Sequence, residues 1–165
     1  MNPADELKKL MLRKPRLTLA VAESLTCGHV QAAIGAVSGA SEYFLGGVTA
    51  YSLAQKANLL GVDRAHARSV NCVSQRVAVE MARGACERLG ADIAVATTGY
   101  AEPDGAAGVE APMAWWALCH VRRGGRAAVI SGQIEMPGAK RVQAQERVTA
   151  EVLRQLVAYL REWRG

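Results

Sequence analysis

The chain has 165 residues, of which 50% are hydrophobic and 21% charged, with a formal net charge of +5. That length suits one domain with a proper core, 1–165, and is short for two, while the balance of apolar and charged residues excludes an intrinsically disordered chain. Charges at Asp5, Glu6, Lys8 and Lys9, with no long apolar segment, argue against a cleavable signal or a membrane span and lead us to expect a cytoplasmic protein.

Pro3 to Leu12 reads as a first helix, with Leu7, Leu10 and Met11 on one face. Leu17 to Val21 has the character of a buried strand. From Leu25 to about Val37, Val30, Ala33, Ile34 and Val37 recur at helical spacing until Ser38-Gly39-Ala40-Ser41 breaks the pattern. Gly46 to Tyr51 is a second strand. Ser52 and Gln55 form a capping-box pattern that opens a helix closed by Gly61. Asp63 to Asn71 is expected as a polar, basic linker, and Ser74 as the cap of a helix reaching Leu89, with Ala78, Met81, Ala82, Ala85 and Leu89 on one face.

Asp92 to Thr98 is a third strand, and Gly99 to Pro112 a long loop containing Pro103-Asp104-Gly105. Met113 to Val121 and Ala127 to Met136 are two more strands, expected as an antiparallel pair through Arg122-Arg123-Gly124-Gly125. Trp115 and Trp116 occupy adjacent strand positions and so point to opposite faces, one of them at least into the core. A last helix from about Ala139 to Trp163 offers Val142, Val148, Val152, Leu153, Leu156, Val157 and Leu160 as inward positions. The order of elements describes an α/β fold: a three-layer α/β/α domain around a mixed, mostly parallel five-stranded sheet.

Cys27, Cys72, Cys86 and Cys119 form no C-x-x-C pair, and with His29, His66 and His120 they lack local metal-ligand spacing. Buried, reduced thiols are the simpler account, and no metal or cofactor is expected. The basic residues are spread along the chain and aromatics are 5% of it, too few for a base-stacking platform. Nucleic acid is therefore not expected as a partner; the positive charge could instead attract an anionic small molecule.

The segment Ala22-Glu23-Ser24-Leu25-Thr26-Cys27-Gly28 follows the first strand directly. A strand that stops at Glu-Ser and turns into a helix leaves the serine at the carboxyl edge of the sheet, where open α/β sheets bind ligands. There Ser24 can act as a nucleophile, or Ser24 or Thr26 can simply cap the helix. Tyr51 ends the second strand and Lys56 lies one turn into the next helix, at the same edge if these strands are parallel neighbours. A lysine stripped of water can serve as a base, and a tyrosine hydroxyl can relay a proton. Spacing alone favours Tyr51 as edge packing and Lys56 as a solvated helix residue.

Ala22-Glu23-Ser24-x-Thr26-x-Gly28, Val48-Thr49-x-Tyr51-Ser52-x-x-x-Lys56, Val73-Ser74 and Thr98-Gly99-x-Ala101-x-Pro103-Asp104-Gly105 occur in this order. Together they resemble the CinA carboxy-terminal domain family, also called the competence/damage-inducible protein family, over nearly the whole chain. Its stand-alone members include nicotinamide mononucleotide deamidase. The resemblance implies a three-layer fold and metal-independent hydrolysis of the carboxamide of nicotinamide mononucleotide to nicotinate mononucleotide and ammonia. It places the nucleophile on Ser24, with Tyr51 and Lys56 handling protons and amides through Gly28 stabilising the oxyanion. Substrate contacts would fall on Thr26, Cys27 and Gly28, on Gly99, Ala101, Asp104 and Gly105, and on Lys140 and Arg141. A nucleotide substrate and a homo-oligomer, dimer or larger, are implied as partners.

Several positions depart from the family pattern. Cys27 stands where T-G-G is usual, Gln75 where V-S-E is usual, and Ala114 where P-x-G is usual. Tyr100 adds bulk to the loop, and Glu102 replaces a glycine with a carboxylate that would repel a nucleotide phosphate if it pointed inward; on a long loop a solvent-facing place is the simpler reading. Gly138-Ala139-Lys140 replaces G-D-R. The arginine usual one turn later aligns with Ala144, with Arg141 next to hand as its substitute. The leading expectation is an amidohydrolase of this type. The alternative is a catalytically silent or substrate-shifted paralogue that binds a nucleotide-like ligand or a protein partner.

Overall fold

A computed structural model describes residues 3–122, 124 and 126–165. Among these, five strands form one sheet in the order β2-β1-β3-β4-β5. They are β1 (Leu19–Glu23), β2 (Phe44–Thr49), β3 (Ile93–Tyr100), β4 (Met113–His120) and β5 (Ala128–Glu135). β1 pairs in parallel with β2 and β3, and β4 runs antiparallel to both β3 and β5. Four of the five strands therefore point the same way, which gives the mixed sheet expected. Of the expected turn between β4 and β5, Arg123 and Gly125 lie outside the described residues.

Six α-helices complete the described fold: α1 (Pro3–Leu12), α2 (His29–Gly35), α3 (Leu53–Leu60), α4 (Arg64–Ser69), α5 (Gln75–Leu89) and α6 (Arg141–Arg164). Side chains alternate across the sheet and feed two cores. Leu19, Val21, Ile93 and Val95 pack with α1, α2 and α6 on one face. Ala20, Ala22, Ala94 and Ala96 meet α5 and its neighbours on the other. The alanines on that second face let helices approach closely. A Cβ on Gly84 in α5 would fall 2.0 Å from the Leu60 carbonyl oxygen, so glycine there seats α5 against the end of α3. Trp116 belongs to the first core and Trp115 packs against the second, as adjacent strand positions require.

Several expectations change: β2 ends at Thr49, before Tyr51, and β3 continues through Gly99 and Tyr100 into the expected loop. β1 runs two residues further than Val21, because Glu23 still pairs with Thr49 and Thr97. The helix expected from Leu25 begins at His29: residues 24–28 form a turn closed by Cys27 N–H donating to the Ser24 carbonyl (3.1 Å) and His29 N–H to that of Thr26 (3.0 Å). The linker expected from Asp63 contains α4, whose cap is the Asp63 side chain accepting from His66 N–H at 2.8 Å. Only Ala67 of that helix is buried, so it carries no apolar periodicity to read. Val142 is exposed in the first turn of α6, while Val148, Val152, Leu153, Leu156, Val157 and Leu160 are buried. No helix of the described residues is long and apolar enough to cross a membrane.

Candidate active site

Ser24 follows β1, between β2 and β3, at the carboxyl edge of the parallel strands. Its N–H donates to the Thr97 carbonyl at 3.1 Å, one rung beyond the strand. Its side chain does not cap α2. That work falls to Glu23, fully buried, whose Oε2 accepts from Gly28 and Val30 N–H at 3.0 and 3.1 Å and whose Oε1 accepts from Gln31 N–H at 2.9 Å. Nor does Thr26 cap; its hydroxyl lies 2.8 Å from that of Thr97. Gln145 of α6 donates to the Leu25 carbonyl at 2.8 Å. The turn bearing Ser24 is thus held from the strand before it, from β3 and from the last helix. Sequence reasoning misses Glu23, Thr97 and Gln145 as site residues, although Glu23 sits inside the A-E-S segment.

Lys56 is the decisive side chain. It is 1% exposed, and its Nζ lies 2.8 Å from Ser24 Oγ. The same nitrogen donates to the Ala50 and Tyr51 carbonyls at 2.9 and 3.1 Å. Those carbonyls are available because β2 has ended at Thr49 and the chain is turning towards Ser52, whose hydroxyl caps α3 by accepting from Gln55 N–H. Burial lowers the Lys56 pKa from the ordinary lysine value, with Cys72 nearby opposing the shift. In the neutral amine two N–H bonds serve the two carbonyls, and the lone pair is left for the Ser24 hydroxyl. The solvated-helix reading of Lys56 is overturned by its burial.

Tyr51 is placed differently from what a proton relay beside Ser24 would need. Its side chain is 58% exposed at the mouth of the cleft, with its hydroxyl near Arg141. Arg141, at the start of α6, donates from Nε and Nη2 to Glu102 Oε2, at 3.1 Å from Nε. Glu102 first, and then Tyr51, hold the Arg141 pKa above its ordinary value.

These residues line one cleft of about 480 Å³, which Gly99, Ala101, Asp104 and Gly105 also border. Thr26, Cys27 and Gly28 do not line it. Thr26 is fully buried, the Gly28 N–H is taken by Glu23, and Cys27 is exposed on the turn. The Cys27 N–H is also spent, so the amides through Gly28 do not all remain for an oxyanion. Among the described residues the Leu25 N–H carries no hydrogen bond, and Leu25 borders the cleft. Lys140 lines a separate recess beyond the Glu102–Arg141 pair. Asn71, Cys72 and Thr98 line the cleft and are not expected there from the sequence, while Tyr100, expected to add bulk around the substrate, lines it too; Asn71 and Cys72 arrive because φ of 48° and 62° turns the chain inward before α5.

A model of the CinA C-terminal domain matches residues 2–160. The chain belongs to that family. It is 42% identical over 162 residues to a CinA-like protein of Chlorobium limicola, covering 96% of this chain and 37% of that protein. A CinA-like protein of Picosynechococcus is 50% identical over 93 residues, 56% of this chain and 22% of the relative. The chain therefore spans about a third or less of the curated CinA-like relatives it matches. Among solved structures, a competence-damaged protein (CinA) superfamily protein from Klebsiella pneumoniae superposes with a TM-score of 0.85 at 25% identity, covering 99% of this chain and all of that one. The competence/damage inducible protein of Agrobacterium tumefaciens gives 0.83 at 26% identity, over 96% and 95% of the two chains. Within this CinA domain, Ala144 is fully buried in the core and does not line the cleft, whereas Arg141 does.

Proposed function

We propose that this CinA domain is a metal-independent amidohydrolase of the nicotinamide mononucleotide deamidase type, with Ser24 as nucleophile and Lys56 as its base. The observation that carries the reading is the 2.8 Å approach of the buried Lys56 Nζ to Ser24 Oγ, with two carbonyls fixing the amine. Ser24 Oγ attacks the carboxamide carbon while its proton passes to Lys56. The tetrahedral oxyanion develops beside the free Leu25 N–H. As the C–N bond breaks, the proton on Lys56 moves to the leaving nitrogen and ammonia departs. Water then attacks the acyl-serine ester, giving its proton to Lys56, which returns it to Ser24 Oγ as the carboxylic acid leaves. Tyr51 contributes its carbonyl to Lys56 and its hydroxyl to the mouth of the cleft, where it can meet the substrate.

Ammonia release over a small panel of nicotinamide-type carboxamides, including the mononucleotide, tests this. Ser24→Ala and Lys56→Ala should each cost about a thousandfold or more. Tyr51→Phe should cost about tenfold or less, because its hydroxyl touches neither Ser24 nor Lys56. Turnover that survives Ser24→Ala, or no ammonia from any member of the panel, would sink the assignment.

A further inference from the structure

The charged groups that border the Ser24 cleft among the described residues are Lys56, Arg141, Glu102 and Asp104. Lys56 lies at the bottom and is committed to Ser24 Oγ and two carbonyls. Arg141 is the cation left at the mouth, and it is already engaged. Glu102 takes the Nε–Nη2 edge of the guanidinium, the edge through which arginine grips a phosphate with two parallel bonds. Asp104 adds a second carboxylate on the same loop.

Other cations stand outside. Lys140 lines the recess on the far side of the Glu102–Arg141 pair. Arg68 lines a neighbouring recess together with Glu110 and Glu135, and Asn71 Nδ2 donating to the Tyr100 hydroxyl at 2.9 Å stands where that recess meets the cleft. A dianionic phosphate in the Ser24 cleft would thus meet two carboxylates and one guanidinium that is already paired. A cationic or neutral ring meets the opposite balance.

We propose that Glu102 is a specificity-determining residue: its carboxylate occupies the guanidinium of the Ser24 cleft, so the site takes a carboxamide without a phosphate, neutral or cationic, ahead of its phosphorylated counterpart. The inference rests on the amidohydrolase reading and narrows its substrate class. Both side chains of the pair are about half exposed. Exposed pairs hold weakly, so Glu102 biases the choice of ligand rather than sealing the cleft.

The test is calorimetric titration of the Ser24→Ala protein with nicotinamide riboside and with nicotinamide mononucleotide, at one pH and one ionic strength. The riboside, a pyridinium cation with no phosphate, should bind at least about fivefold more tightly, and Glu102→Gln in the same background should tighten the mononucleotide at least about fivefold while leaving the riboside unchanged or weaker. Tighter binding of the mononucleotide, no change in preference on Glu102→Gln, or no binding of either compound would each overturn the proposal. Ammonia release by the unmutated protein separates the two claims. Riboside preference without any ammonia would leave the specificity standing and remove the enzyme. Ser24-dependent ammonia release with mononucleotide preference would do the reverse.

Discussion

Lys56 Nζ stands 2.8 Å from Ser24 Oγ on a side chain withdrawn almost completely from solvent, and the two residues come from different elements 32 positions apart. Burying a lysine costs free energy unless it is partnered or gives up its proton. Here the partners are two main-chain carbonyls and the serine hydroxyl. The arrangement is costly for stability and useful as chemistry, because desolvation that lowers the lysine pKa also supplies a neutral amine beside a hydroxyl.

A pH profile follows from that shift. In the proposed mechanism the free amine is the working base, so kcat/KM should climb as pH rises through the Lys56 pKa, with a midpoint below the ordinary lysine value near 10.5. Stability moves in the same direction. Between the lowered folded pKa and the unfolded value the unfolded chain binds more protons, so the cost of the buried charge is present at lower pH and relieved as pH rises. Lys56→Arg, which keeps a charge that cannot be shed, should abolish the rising limb. A kcat/KM that falls rather than rises with pH, or a rising limb that persists in Lys56→Arg, would exclude Lys56 as the base.

Glu23 makes a prediction about stability. Its two carboxyl oxygens accept three amide hydrogens at the start of α2, from inside the sheet edge. Glu23→Ala leaves those donors without a partner in a part-buried place, at about 1 kcal/mol for each, so about 3 kcal/mol altogether. For a chain of this length, thermal unfolding should drop by roughly 6–12 °C. Glu23→Gln should fall between the two, since its NH2 group would face an amide donor. A loss of activity with unchanged melting in Glu23→Ala would mean that the carboxyl group acts on substrate and not on the turn.

The amphipathic elements are legible in the sequence because their burial follows simple periods: α1, α5 and most of α6 keep the faces that the residue spacing shows. The cap at Ser52 and the stop at Gly61 are equally plain, since each depends on its own short segment. The site is only half legible. Spacing brings Ser24, Tyr51 and Lys56 to one edge but says nothing about which way Tyr51 points. It does not reveal that Glu23 caps α2 across the turn, because that bond depends on the backbone leaving the helical path at residues 24–28. Asn71 and Tyr100 are 29 positions apart and meet through the fold alone, at 2.9 Å. The pairing of Glu102 with Arg141 spans 39 positions and has no local signal either.

Cys27 supplies the last prediction. Its φ of 47° places an L-residue in the left-handed region, immediately before Gly28 at 99°. A side chain in that region costs about 1–2 kcal/mol, while glycine loses about 0.5–1 kcal/mol through the extra freedom of its unfolded chain. The difference favours Cys27→Gly by up to about 1.5 kcal/mol. Because Cys27 is exposed and outside the cleft, the gain should come without a change in KM for the substrate. Chemical denaturation measures the first quantity and steady-state kinetics the second. If Cys27→Gly lowered stability, the turn would be drawing on packing of the thiol; if it shifted KM by tenfold or more, the turn and the cleft would be coupled through the Leu25 amide that lies between Ser24 and Cys27.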